Sequence, residues 1–324
     1  MYFNILRSLY SLKKRDDYPM YTMTYYGDYG FDDFLAQGAT NDDDLLSFVQ
    51  SRVTGKKKIA FDNPKSGCTT FVAKESNGDI LYARNYDFPP TAFVVVKTKP
   101  QNGHASVSIV DLMALGYSKA NPPKGFSKKL PLLATPYLPF DGMNEKGLAV
   151  AVLQVPKTDL PNDSNKITLN TTTLVRLMLD KAATVDEAVA AVSKYNVYFS
   201  LGVYCHYFIA DSQGKSIILE FCDGKMHVTQ ENTASNFYAC NGLTLDHTDE
   251  EPTPRERYDM VKNALAKGND VMSMTEAGSL LCDVGIYSKG ENILQWSAVY
   301  NLSALTGMVF PGRDMSKSYR FSMV

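Results

Sequence analysis

The dipeptide Asn77-Gly78, with a β-branched and aromatic stretch on either side, constrains this chain more than any other feature. It is the strongest short-range hairpin signal, because a tight two-residue turn needs positive φ at both central positions. Pairing about that turn makes partner positions sum to 155, so Thr70 is expected opposite Asn85 and Cys68 opposite Asp87. Arg84, Asn85 and Asp87 are thereby brought to the strand end where Cys68 sits. A register shift of one residue, or a bulge, changes the face each side chain meets but not the neighbourhood.

The text differs on the two sides of Cys68. Residues 1–67 are rich in Tyr and Asp, with the acidic patch Asp42-Asp43-Asp44 and one expected helix over about 43–53, capped by Asn41 or Asp42. The breaker cluster Asp62-Asn63-Pro64-Lys65-Ser66-Gly67 ends that segment and marks a boundary at Cys68. Beyond it, strands are expected over 69–74, 80–84, 93–97 and 147–154, then two helices, the second opened by Thr184-Val185-Asp186-Glu187. Strands over 203–210, 216–222, 225–229 and 237–240 follow. A helix opens at Thr253-Pro254-Arg255-Glu256 and ends near Gly268, another covers 276–282, and strands close the chain at 294–301, 307–310 and 319–323. This order indicates an α+β chain of antiparallel sheets with helices on their outer faces.

Composition excludes several function classes. Lys plus Arg is 33 against 35 Asp plus Glu in 324 residues, a net charge of -2 that gives no general attraction to nucleic acid or anionic membrane. The five cysteines, at 68, 205, 222, 240 and 282, are too widely spaced for a disulfide framework or a paired zinc site. No apolar run reaches the roughly 18 residues a membrane span needs. The apolar start also precedes the basic Lys13-Lys14-Arg15, the wrong order for a secretory signal, so a cytoplasmic location is the default expectation. Nothing in the sequence excludes a homo-oligomer.

The chemistry converges on Cys68. A thiolate is the reactive form of cysteine, and a guanidinium such as that of Arg84 lowers the free thiol's pKa of about 8.5. Cleavage before Cys68 would free an α-amine of pKa about 7.7 to 8.0, able to serve as general base for its own side chain, with Asp87 to orient it. Gly67 leaves little bulk around the carbonyl that the thiol would attack in self-cleavage. On spacing alone, surface charges and a small core cysteine fit the same residues. Cys205-His206 is a tempting pair, but neighbours on a strand point to opposite faces, so a structural role is expected. Trp296 and the aromatic run 204–208 read as core. The loops carrying Phe88 and Tyr137 to Phe140 read either as walls of an apolar pocket or as buried connections.

At these residues the sequence resembles the choloylglycine hydrolase family, the linear amide C-N hydrolases, which includes bile salt hydrolases and penicillin V acylases and is related to acid ceramidase. The resemblance rests on Gly67-Cys68-Thr69-Thr70-Phe71, on 78–88 from Gly78-Asp79 to Asp87-Phe88, and on 141–151 from Asp141-Gly142-Met143-Asn144. It continues at Ala239-Cys240-Asn241-Gly242-Leu243, Arg257-Tyr258 and 296–301. It implies a four-layer αββα sandwich, the Ntn-hydrolase fold, over residues 68–324, with 1–67 as a propeptide and Cys68 as N-terminal nucleophile. It also implies that Arg84 and Asp87 support Cys68, that Asn241 gives a side-chain amide to the oxyanion hole, and that Arg257 supports the polar network. Gln154 stands where bile salt hydrolases carry Asn and penicillin acylases Tyr; its backbone N–H can still join the oxyanion hole. The 67 residues before Cys68 look more like the propeptide-bearing, acid-ceramidase-like branch.

The expected activity is hydrolysis of an amide that joins an apolar acyl group to a polar amine, through a Cys68 thioester and without metal or cofactor. Bile-acid conjugates, long-chain N-acyl amines and phenylacetyl-type amides all satisfy that description. Two other readings stay open: a cysteine and histidine hydrolase with no maturation step, and a binding module whose thiol is never exposed.

Overall fold

A computed structural model describes residues 2–52, 67–245 and 250–323. The N-terminal segment folds as α1 (Tyr2–Tyr10), β1 (Lys13–Lys14), β2 (Met20–Thr24), α2 (Phe31–Gln37) and α3 (Asp42–Arg52). The expected single helix is α3, and the Asp44 N–H donates to Asn41 Oδ1 at 3.0 Å, the anticipated cap. The other elements were not expected. The start of α2 carries no side-chain cap, since its N-cap is Gly30 in the left-handed region, and so left no polar signal in the sequence.

The hairpin is β3 (Gly67–Lys74) and β4 (Ile80–Asp87). Its register is one residue short of the expectation: Cys68 lies opposite Tyr86, Gly67 opposite Asp87 and Thr70 opposite Arg84. The connection is not a two-residue turn. Gly78 N–H donates to Glu75 O at 2.9 Å, Glu75 N–H donates to Asp79 O at 2.8 Å, and at this turn only Gly78 has positive φ, at 90°. That is a three-residue loop closing on a glycine bulge, which moves the centre of pairing from between Asn77 and Gly78 onto Asn77. One face of the hairpin then carries Cys68, Val72, Tyr82 and Tyr86, and the other carries Phe71, Ala73, Leu81 and Ala83.

Next come β5 (Phe93–Thr98), β6 (Ser106–Asp111), the one-turn α4 (Phe126–Lys129), β7 (Asp141–Asn144), β8 (Ala149–Gln154), β9 (Thr168–Asn170), α5 (Thr171–Lys181), α6 (Val185–Val192), β10 (Asn196–Tyr198), β11 (Cys205–Ala210), β12 (Ser216–Cys222) and β13 (Lys225–Gln230). The C-terminal part holds β14 (Thr233–Ala234), β15 (Glu250–Glu251), α7 (Pro254–Lys267), α8 (Met274–Asp283), β16 (Tyr287–Ser288), β17 (Glu291–Asn292), β18 (Leu294–Asn301), β19 (Thr306–Pro311) and β20 (Tyr319–Ser322). The expected strand over 237–240 is a turn instead. Its Ala239 and Cys240 N–H groups donate to the Glu220 carboxylate rather than to a neighbouring strand.

Two sheets result. The larger runs β1-β2-β5-β6-β7-β8-β11-β12-β13 and the smaller β14-β3-β4-β18-β19-β20. Val72, Tyr82, Phe93, Ile109, Leu153, Phe208 and Trp296 fill the space between them. Helices α7 and α8 cover the outside of the smaller sheet through Val261, Leu265, Ala277 and Leu281. Helices α5 and α6 cover the larger sheet together with the N-terminal segment. The layers are therefore αββα, as expected. Helices α6, α7 and α8 are amphipathic and bury one side against a sheet, whereas α5 is buried all along 171–180. The N-terminal segment is part of this body: β2 runs parallel to β5, from Met20 opposite Phe93 to Thr24 opposite Lys97. Among the described residues no helix is long and apolar enough to cross a membrane.

Candidate active site

Cys68 is the second residue of β3 and is buried between the sheets. Strand β14 pairs with β3, Thr233 opposite Phe71 and Ala234 opposite Thr70, and the chain leaving β14 reaches Cys68. There the Cys68 backbone N–H donates to Asn236 Oδ1 at 2.8 Å, and Ser235 Oγ donates to the Cys68 carbonyl at 3.4 Å. Asn236 Nδ2 donates in turn to the Gln154 carbonyl at 2.8 Å. Arg257 sits behind this amide, donating to Asn236 Oδ1, to Thr69 Oγ1 at 3.1 Å and to the Pro252 carbonyl at 2.8 Å. Arg257 thus joins the hydrogen-bond network around the Cys68 N–H.

Asn241 is not. It is exposed on the turn after Cys240, where its Nδ2 donates to Cys222 Sγ at 3.1 Å and to Asp223 Oδ2 at 3.3 Å. The side-chain amide beside Cys68 belongs to Asn236, five positions earlier. An Asn-Gly pair reads as a turn, and here Gly242 does take positive φ, so Asn241 serves the turn. Nothing local flags Asn236. Only the long-range β14 to β3 register places it.

Arg84 and Asp87 lie on opposite faces of β4, because their positions differ by an odd number. Arg84, fully buried, pairs through Nε with Asp141 at 3.0 Å and donates to the carbonyls of Asn85 and Val152 at 2.8 and 3.0 Å. Asp141 is itself held by Trp296 Nε1 at 3.0 Å and by the Tyr300 hydroxyl. The guanidinium charge is therefore shared with a carboxylate. Burial pushes the Cys68 thiol above its ordinary value, with Asp87 adding to the rise, while Arg84, Arg257 and the Gln154 N–H pull it down without overcoming the burial. In the uncleaved chain the expected lowering by Arg84 is outweighed.

Asp87 is on the helix-facing side with Gly67. Its Oδ1 accepts the Ile286 N–H at 2.9 Å, and Oδ2 has no hydrogen-bond partner among the described residues. Burial raises its pKa to about 6, against the pull of Arg257. A β-carbon at position 67 would lie 1.9 Å from Ile286 Cδ1, so any larger residue there has to displace the Ile286 side chain.

An apolar cavity of about 150 Å³ opens beside Cys68. Tyr86, Phe88, Phe140, Val152, Gln154 and Cys205 line it, and Leu45, Leu46 and Val49 of α3 close one side. Asp42, Asp43, Asn170 and Thr171 supply polar groups. Phe88, Phe140 and Gln154 thus border the cavity. Tyr137 is not a lining residue: its hydroxyl donates to the Tyr29 carbonyl, and its ring packs on Phe31, Phe34 and Phe48 of the N-terminal segment. Cys205 and His206 do face opposite ways, Cys205 into the cavity and His206 onto Glu220 at 2.9 Å.

A family model for linear amide C-N hydrolases, choloylglycine hydrolase family, matches residues 68–239, starting at Cys68 and spanning more than half of the chain. The chain belongs to this family. Within the choloylglycine hydrolase family, a penicillin V acylase of Pectobacterium atrosepticum is 33% identical over 96 residues, which is 26% of this chain and 26% of that enzyme. The matched part is thus about a quarter of that relative's length. Among solved structures, a variant of the conjugated bile acid hydrolase from Clostridium perfringens superposes with a TM-score of 0.56 at 17% identity, covering 79% of this chain and 92% of the other. The penicillin V acylase from Agrobacterium tumefaciens gives 0.54 at 17% identity, covering 79% and 86%. These likenesses establish the Ntn-hydrolase fold.

Proposed function

We propose that this chain is an autoprocessed amidase that hydrolyses N-acyl amines or acyl-amino-acid conjugates through a thioester on Cys68. The observation that carries the reading is the convergence on Cys68 of three things: the Asn236 amide on its backbone N–H, the Gln154 N–H toward its thiol, and the apolar cavity. Cleavage of the Gly67–Cys68 bond separates residues 1–67 and leaves an α-amine where the Cys68 N–H now meets Asn236. That amine takes the thiol proton as Sγ attacks the substrate carbonyl, and it returns the proton to the departing amine. Water, deprotonated by the same amine, then releases the acid and restores the thiol. The Gln154 N–H and Asn236 Nδ2 are the donors for the developing oxyanion, and Arg257 fixes Asn236. Asp87, across from Gly67, supplies a counter-charge for the new ammonium.

The cavity supports a compact acyl group. About 150 Å³ is the size of an engineered apolar cavity that holds one benzene ring. An aryl-acetyl or short-chain acyl group therefore fits better than a steroid, which favours a penicillin-acylase-like substrate over a conjugated bile acid. Intact-mass measurement during maturation tests the scheme: the wild type yields a product beginning at Cys68, and Cys68→Ala yields neither that product nor amide turnover. Turnover by the full-length chain would sink it.

A further inference from the structure

Glu220, at the interior of β12, is fully buried, yet three donors converge on its carboxylate. Ala239 N–H donates to Oε1 at 2.8 Å, Cys240 N–H donates to Oε2 at 3.0 Å, and His206 Nδ1 lies 2.9 Å from Oε1. Burial works to raise this carboxyl, but His206 and the two N–H groups together hold it below the ordinary glutamate range. His206 is fully buried too; its Nε2 has no partner among the described residues, and its ring meets Tyr238 edge-on at 6.5 Å. None of these groups enters the chemistry at Cys68.

The backbone that Glu220 grips is the one that carries Asn236. Upstream of Asn236, the chain is fixed by β14 pairing with β3. Downstream, the segment folds back on itself, with the Leu245 N–H donating to the Asn236 carbonyl at 3.2 Å and the Tyr238 N–H to the Leu243 carbonyl at 2.8 Å. This turn is tied to the larger sheet by the Ala239 and Cys240 N–H groups on Glu220 and by the Tyr238 hydroxyl donating to the Pro156 carbonyl at 2.9 Å. Asn236 stands at the junction between β14 and that turn, so the turn's attachment to Glu220 sets where its backbone sits. Displacing a reacting group by about 1 Å can cost on the order of 100-fold in rate, so this attachment has a catalytic consequence at a distance.

We propose that Glu220 and His206 are a buried positioning pair that holds segment 236–240 so that the Asn236 amide stays against Cys68. The inference rests on Cys68 and Asn236 acting as in the amidase scheme. A carboxylate is required because only an acceptor-only group with two oxygens can take three donors; the amide of glutamine offers one oxygen and turns an NH2 toward an N–H. The imidazole completes the set and fixes the carboxylate's rotamer.

The test uses matured enzyme and the member of an N-acyl 4-nitroanilide series, acetyl to decanoyl plus phenylacetyl, that the wild type cleaves fastest. Glu220→Gln should lower kcat by roughly 10 to 100-fold with KM within about threefold, in line with losing alignment of one oxyanion donor. Alkylation of Cys68 by iodoacetamide, which needs the thiol but no oxyanion donor, should keep its rate within about twofold. His206→Ala leaves both backbone bonds to Glu220 and should lower kcat less, while His206→Asn, which keeps a donor near Nδ1, should restore part of it. In the Asn236→Ala background, Glu220→Gln and His206→Ala should each be nearly silent, since a positioning group acts only through what it positions. Multiplicative effects in that background, an unchanged kcat, or loss of alkylation in step with kcat would each overturn the proposal. Absence of wild-type cleavage across the whole series, or a silent Asn236→Ala, would sink the amidase scheme first, and is separable from those outcomes.

Discussion

The backbone N–H of Cys68 donates to Oδ1 of Asn236 at 2.8 Å, joining residues 168 apart in sequence at the start of one strand. The acceptor is the same oxygen that Arg257 holds, so the amide is fixed with its Nδ2 directed at the Gln154 carbonyl. Removing Asn236 and removing Asn241 should therefore have very different effects. Asn236→Ala is expected to lower kcat by about 100 to 1,000-fold, the usual effect of deleting an oxyanion donor. Asn241→Ala, which disturbs only a surface turn, should stay within a few-fold. Steady-state kinetics on both variants decide the assignment, and the reverse ranking would return the role to Asn241.

Gly67 tests the geometry of self-cleavage. A methyl group there meets Ile286 Cδ1 at 1.9 Å, so Gly67→Ala must push the strand start or the Ile286 side chain aside. Maturation, followed by intact mass over time, is expected to slow at least tenfold. Shortening the opposing side chain with Ile286→Ala in the same protein should recover most of the rate. Equal rates for Gly67→Ala and wild type would show that this contact does not limit the reaction.

The stabilisation that Asp87 and Asp111 give the uncleaved chain should be lost as pH rises from 4 to 7. In the folded chain Asp87 binds its proton more tightly than in the unfolded one, about 6 against 3.8, and Asp111 is raised to about 6 as well, both by burial. The folded state therefore binds more protons over that window, and the stabilisation present below 3.8 is lost as pH passes 6. Asp87 alone contributes on the order of 3 kcal/mol at 1.36 kcal/mol per pKa unit. Urea unfolding of the Cys68→Ala precursor at pH 4 and 7 should show the fall, and adding Asp87→Asn should flatten it. Parallel profiles with and without Asp87 would contradict this account.

After cleavage, residues 1–52 should stay on the enzyme. Phe31, Phe34 and Phe48 pack around Tyr137, and the Tyr29 hydroxyl donates to the buried Asp180, which pairs with Arg176. The mature protein is expected to elute as one species on native size exclusion and to separate into two chains only under denaturing conditions. Phe34→Ala, at about 3 to 5 kcal/mol for a buried aromatic, should release the smaller chain. Elution of wild-type mature enzyme without the N-terminal chain would overturn the prediction.

Much of this architecture was legible because it is locally encoded. The helix starts at Thr253 and Thr184 carry side-chain caps that bond three residues on, and strand 216–222 matched to the residue. Cys68 stood out through the breaker cluster before it and a hairpin that sequence alone can find. The hairpin register failed by one residue because Asn-Gly is compatible with both a two-residue turn and a three-residue loop with a bulge, and the choice depends on packing between the sheets. Asn236 and the β2 to β5 pairing failed for a different reason. Both depend on contacts between distant segments, and neither leaves a periodicity or a cap in the residues themselves.

Strand β2 fills a slot that the catalytic part of the fold cannot fill for itself. A chain begun at Cys68 would present the long apolar edge of β5, Phe93 to Val96, with its N–H and C=O groups unpaired, the kind of edge that recruits other strands. If the chain is cut before Cys68, a separately made N-terminal piece has a defined line, the β5 edge, along which to be added back. Production of residues 68–324 alone is a problem of edge protection before it is one of catalysis, and supplying the N-terminal segment in trans is its direct remedy.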